Sequence, residues 1–68
     1  MSAAPDIRAE NHGSLWLVRG RSEPGQAWLQ DNVAFEHFFG GAGVVEWRYI
    51  QDILTGARQD GLQVEIDS

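Results

Sequence analysis

Between Gly40 and Ile66 the chain reads GGAGVVEWRYIQDILTGARQDGLQVEI, and this run constrains the fold more than any other part of the sequence. Val44-Val45-Glu46-Trp47 is short and β-branched, as suits a strand. From Arg48 onward, Ile50, Ile53, Leu54 and Ala57 recur at i, i+3, i+4 and i+7, the spacing of one helix face. Tyr49, four residues before Ile53, extends that face, while Gln51, Asp52, Thr55, Arg58 and Gln59 form the wet one. Gly61 after Asp60 predicts a left-handed helix stop, with Leu62 folding back onto the last turn. Leu62, Val64 and Ile66 then alternate with Gln63, Glu65 and Asp67, the pattern of an edge strand with one solvated face.

Upstream, Ser14-Leu15-Trp16-Leu17-Val18 reads as a strand apolar on both faces, which predicts an interior position or a face covered by another molecule. If Leu15 and Leu17 face the helices, Trp16 and Val18 occupy the opposite, open side; the alternative is that Trp16 packs in the core. Arg19-Gly20-Arg21 closes the strand. Ser22 is a suitable N-cap, with Glu23 and Pro24 in the first turn of a helix carrying Trp28, Leu29 and Val33. Gly25 is expected to loosen that first turn. Phe35 to Phe39 reads as a short strand or an ordered loop before the turn Gly40-Gly41-Ala42-Gly43. Residues 1–12 are polar, with Ile7 the one sizeable aliphatic after Met1, and are expected to form a flexible tail ahead of one small domain over 13–68. The element order β-α-(β)-β-α-β predicts a two-layer α/β sandwich. It is ferredoxin-like if Phe35 to Phe39 is a strand, and a three-stranded variant if not.

The stretch FFGGAGVVEWRYIQDILTGARQDGLQV, with Ser22-Glu23-Pro24 and Trp28-Leu29-Gln30-Asp31-Asn32-Val33 before it, resembles a group of short, uncharacterised bacterial proteins. These share a Val-Val-Glu strand, Arg-Tyr, an Ile-x-Asp-Ile helix and an Asp-Gly-Leu exit. The resemblance spans roughly residues 14–66 and supports the element order; it implies no activity, ligand or site residue. The chain departs from the group at Gly43, where Leu is commoner.

At 68 residues the chain is near the lower limit for folding alone, and such domains usually draw on disulfides, a metal or a partner subunit. It has no Cys, which removes disulfides and thiolate metal sites, and no Lys, which removes Schiff-base and P-loop lysine chemistry. Ten acidic against five basic residues give a net charge of −5, which repels phosphate backbones and makes nucleic acid an unfavoured partner. No apolar run approaches the roughly 20 residues of a membrane span, and the opening residues lack a secretory pattern. The cytoplasm is the expected compartment.

The candidate chemistry is sparse. Ser2, Ser14, Ser22 and Ser68 stand in no nucleophile elbow, so no catalytic residue is assigned. His12 and His37 lack metal-ligand spacing, so no metal site is assigned. Gly40-Gly41-Ala42-Gly43 precedes a strand, whereas a phosphate loop follows one and opens a helix, so no cofactor is assigned. Glu46-Trp47-Arg48-Tyr49 is the densest polar-aromatic cluster, at a strand-to-helix junction. Glu46 there either accepts hydrogen bonds from the helix N-terminus or orients Arg48, and Trp47 suits the core.

These features predict a small cytoplasmic protein–protein interaction or regulatory module, with a second copy of the chain as one expected partner. Its contacts are expected from Trp16, Val18, Phe38, Glu46, Arg48 and Tyr49. The alternative is a nucleic-acid-linked role, either a weak binder on the open sheet face or an acidic mimic that blocks a basic partner. An enzyme would require His37 and Glu36 or Glu46 to converge in a pocket.

Overall fold

The computed structural model describes residues 5–35 and 37–67. The elements are β1 (Ile7–Asn11), β2 (Leu15–Gly20), α1 (Glu23–Asn32), β3 (Phe38–Phe39), β4 (Ala42–Glu46), α2 (Trp47–Gln59) and β5 (Val64–Asp67). The strands form one sheet in the order β3-β4-β2-β1-β5. All neighbours run antiparallel except β1 and β5, which are parallel.

With β1 set aside, this is the ferredoxin-like order: β2-α1-β3 straddles β4, and β4-α2-β5 straddles β2. β2 and β4 are interior, and β3 and β5 are the edges, as the patterning predicts. The sheet has five strands, not three or four, because β1 is inserted between β2 and β5. Leu29 of α1 and Ile50, Leu54 and Ala57 of α2 share one core cluster with Ile7, Ala9, Val18 and Val45 of the sheet. Those four sheet residues lie on one face by register, so both helices cover that face and the fold is a two-layer sandwich.

The expectation of a tail over residues 1–12 is corrected at β1. Ile7 and Ala9 are fully buried, while Arg8 and Glu10 point to the other face. A strand this short needs only two inward apolar groups, so a mostly polar sequence conceals it. Residues 1–4 lie outside the described residues. The β1–β2 connection turns at Gly13-Ser14, where the His12 N–H donates to the Leu15 carbonyl at 2.9 Å and Asn11 Oδ1 accepts from the Gly13 N–H at 2.9 Å. Gly13-Ser14 is turn chemistry, but it signals a hairpin only once β1 is recognised as a strand.

Ser22 caps α1 as predicted, accepting from the Gly25 N–H at 3.1 Å. The first turn is held rather than loose, because Gly25 is buried against the backbone of Asp6. Asp6 also accepts from the Ser22 hydroxyl at 2.6 Å and from the Gln63 N–H at 2.9 Å, which ties three segments at one point.

β3 is shorter than the Phe35 to Phe39 reading, and joins β4 through Gly40-Gly41 with φ of 57° and 80°, as a type I′ hairpin turn requires. α2 begins at Trp47, one residue earlier than its periodicity suggests, and ends as predicted. The Leu62 N–H reaches the Ala57 carbonyl at 3.1 Å and the Gly61 N–H the Arg58 carbonyl at 3.0 Å, the paired bonds of a Schellman motif.

Candidate interaction surface

Register divides the sheet into two faces. Val18 stands opposite Ala9 and Gly43, and Trp16 opposite Asn11 and Val45, so both point toward the helices. Val18 is 1% exposed and Trp16 packs against the core. The expectation that Trp16 and Val18 form an open contact face is therefore corrected: Leu15 and Leu17 take that face. A strand apolar on both sides does not reveal its own parity; the neighbours β1 and β4 set it.

The open face is split in two. Toward β5 it is charged: Arg8 pairs with Glu65 at 3.2 Å and Asp67 at 2.7 Å, and Arg19 with Glu10 at 3.3 Å. Arg8 and Arg19 stand directly opposite each other, a repulsive placement that these carboxylates offset. Arg19 also donates to the Gly40 carbonyl at 2.8 Å. It is register-adjacent to Ala42, the one outward-facing alanine of β4, which is fully buried. Toward β3 the face becomes apolar, with Leu15, Leu17, Val44 and Phe39.

Exposed apolar bulk is concentrated around β4, on both faces: Phe39, opposite Ala42, is on the open side and Phe38, opposite Gly43, on the helix side. Among the described residues six large hydrophobic side chains are exposed, and five of them surround β4: Leu15, Phe38, Phe39, Trp47 and Tyr49. Phe38 and Phe39 form its edge neighbour, Leu15 pairs with its last residue, and Trp47 and Tyr49 follow in the first turn of α2. The sixth, Ile66, sits on β5 at the far edge.

The junction after β4 differs from its core reading. The Trp47 side chain is exposed (60%), and the residue's backbone N–H donates to the Ser14 carbonyl at 3.0 Å. Glu46 occupies the N-cap position of α2 without a side-chain cap bond and instead pairs with Arg48 Nε at 3.4 Å. Tyr49 is exposed beside them.

Phe35 organises the surface around β4. Its ring lies over Gly43, in the space a side chain there would occupy, and meets Phe38 at a centroid distance of 5.6 Å in a tilted arrangement. This substitution of a neighbouring ring for a side chain accounts for glycine at position 43. Two open grooves flank Phe35. One, about 460 Å³, runs between α1 and the β3–β4 hairpin over Gly20, Gly41 and Gly43. The other, about 470 Å³, lies between the segment after α1 and the start of α2, and gathers His37, Val44, Glu46, Tyr49 and Leu15.

His37 and Glu46, two of the residues an enzyme would require, thus line one groove, while Glu36, Ser2 and Ser68 lie outside the described residues. Among the described residues no three His, Asp or Glu side chains come together as metal ligands. No described helix is long and apolar enough to cross a membrane. No family model, curated protein or solved structure matches this chain.

Proposed function

We propose that the protein is a small protein–protein interaction module that docks through the β3–β4 side of its sheet. One observation carries this reading: five of the six exposed large hydrophobic side chains surround β4, while the opposite half of the open face is occupied by ion pairs. Exposed apolar bulk gathered about one strand costs solubility and is a common mark of a contact site. The contact residues become Leu15, Phe38, Phe39, Trp47 and Tyr49, with Glu46 and Arg48 at the rim. A cytoplasmic setting suits a chain without cysteine.

A nucleic-acid-linked role has less support. Arg8, Arg19 and Arg48 each pair with a carboxylate, so the arginines nearest the open face are already neutralised and offer phosphate little.

Site-specific photo-crosslinking in producing cells tests the reading. A photo-reactive phenylalanine analogue at Phe39 should give discrete protein adducts, and the same analogue at Glu65 on β5 should not. Equal yields at the two positions, or none at Phe39, would remove the β3–β4 side as the docking surface.

A further inference from the structure

We infer that β1 is a displaceable strand: the fold has a second closure, in which β1 leaves the sheet and β5 moves one strand inward to pair with β2. This exchange takes place at the edge away from β3 and does not depend on the docking reading.

Topology is the first support. Without β1 the remaining strands form the complete ferredoxin-like order β5-β2-β4-β3. Their directions already agree. β1 is antiparallel to β2 and parallel to β5, so β5 runs antiparallel to β2, as direct pairing in that order requires. β1 also precedes every other element, so no crossover has to be undone for it to leave.

Register is the second. Ile7 stands between Gly20 and Val64, Arg8 between Arg19 and Glu65, and Ala9 between Val18 and Ile66. The departure of β1 would bring each outer pair together. Parity is kept: Val64 and Ile66 stay on the helix side, and Glu65 and Asp67 on the open side. Val64 and Ile66 would take the column beneath the helices that Ile7 and Ala9 now fill, and Ile66, 45% exposed at the sheet edge, would gain cover. Charge pairing improves as well. The like-charged opposition of Arg8 and Arg19 gives way to the opposite charges of Arg19 and Glu65.

What holds β1 in place is concentrated at its entry. The Asp6 and Ile7 N–H groups donate to the Gln63 carbonyl at 2.9 and 3.1 Å, and the Asp6 carboxylate accepts from the Ser22 hydroxyl and the Gln63 N–H. Asp6 is thus the latch of the five-stranded closure. A partner that captures Ile7–Asn11 as an extended strand would draw the sheet into the four-stranded one.

A disulfide trap tests this on the full chain, which has no cysteine of its own. With β1 in place, positions 19 and 65 lie two strand spacings apart, about 9.5 Å, beyond the roughly 7 Å that a disulfide spans. With β1 out they are direct neighbours. R19C/E65C should therefore form an intramolecular disulfide under mild oxidation. In the crosslinked protein the β1 amides should exchange hydrogen as in an unfolded chain, while those of α2 and β4 stay protected. Without any cysteine, Asp6→Ala should speed β1 exchange about tenfold more than α2 exchange. No intramolecular disulfide in a folded R19C/E65C protein, a disulfide with β1 still protected, or one that strips α2 of protection overturns the second closure. So does an Asp6→Ala protein whose β1 and α2 amides accelerate alike, and this arm decides the matter if the double-cysteine chain does not fold.

Discussion

The backbone carbonyl of Asp6 lies directly against Gly25, in the place a Cβ at position 25 would take. That carbonyl also accepts from the Arg21 N–H at 2.7 Å, so it is not free to step aside. The chain just before β1 and the first turn of α1 are thereby held together at van der Waals contact.

Gly25→Ala should accordingly destabilise the protein, although alanine is the better helix former by about 1 kcal/mol. Overlap with a backbone atom cannot be relieved by a rotamer change, and overpacking of this kind costs about 1–3 kcal/mol. A net loss of about 1–2 kcal/mol is expected in urea unfolding. Unchanged or raised stability would show that the approach of Asp6 to α1 is loose.

Gly56→Ala should act in the opposite direction. A Cβ there would meet the Trp28 ring at 3.4 Å, ordinary contact, at the tenth position of a 13-residue helix. The gain should be about 0.5–1 kcal/mol from helix propensity and a less flexible unfolded chain. Thermal unfolding of the two proteins side by side checks it; a lower midpoint for the variant would mean that Trp28 sits tighter on α2 than this distance allows.

Gly43 and Phe35 should be energetically coupled. Gly43→Leu in the wild type must displace the Phe35 ring, whereas in a Phe35→Ala background the leucine enters vacant space. Neighbouring side chains that compete for one volume typically couple by about 0.5–3 kcal/mol. A double-mutant cycle should therefore find Gly43→Leu less harmful, or stabilising, when Phe35 is absent. Simple additivity would show that Phe35 does not stand in for a side chain at 43.

The acid limb of stability should depend on Asp6. Its carboxyl is held below the ordinary range, first by the Ser22 hydroxyl and then by the Gln63 N–H, against a smaller opposing effect of burial. A depressed folded-state pKa stabilises the protein above the unfolded value, about 3.9, and that contribution is lost as pH falls through the lower folded value. Wild type should thus exceed Asp6→Asn in urea midpoint at neutral pH, with the gap closing below about pH 4. A gap that persists to pH 2 would point to geometry rather than charge as what Asn lacks.

The elements whose packing is local could be read from the chain. α2 announces itself through Ile50, Leu54 and Ala57, and its stop through Gly61, because helix periodicity and cap geometry are set within a few residues. β5 follows for the same reason. The strands whose identity depends on distant neighbours were harder. β1 needs β2 and β5 on either side to bury Ile7 and Ala9, so its five residues look like a tail in isolation. The parity of β2 is likewise decided across the sheet, which is why Trp16 and Val18 were expected on the wrong face. At the candidate surface, Phe38, Glu46, Arg48 and Tyr49 were visible as contact residues, the last three within the polar-aromatic run Glu46-Trp47-Arg48-Tyr49. Leu15, Phe39 and Trp47 were not, since their exposure follows from the shortness of β3 and from where α2 begins.

The parallel pairing of β1 with β5 has a consequence for how the molecule is made. Ile7 sits beside Val64, so β1 has a vacant flank until β5 has also left the ribosome. Pairings this far apart in sequence form slowly and late. Every element from β1 to β5 must therefore be synthesised before the sheet can close. Until then the β1–β2 hairpin exposes an unpaired edge, and any factor that shields nascent chains would find its substrate there.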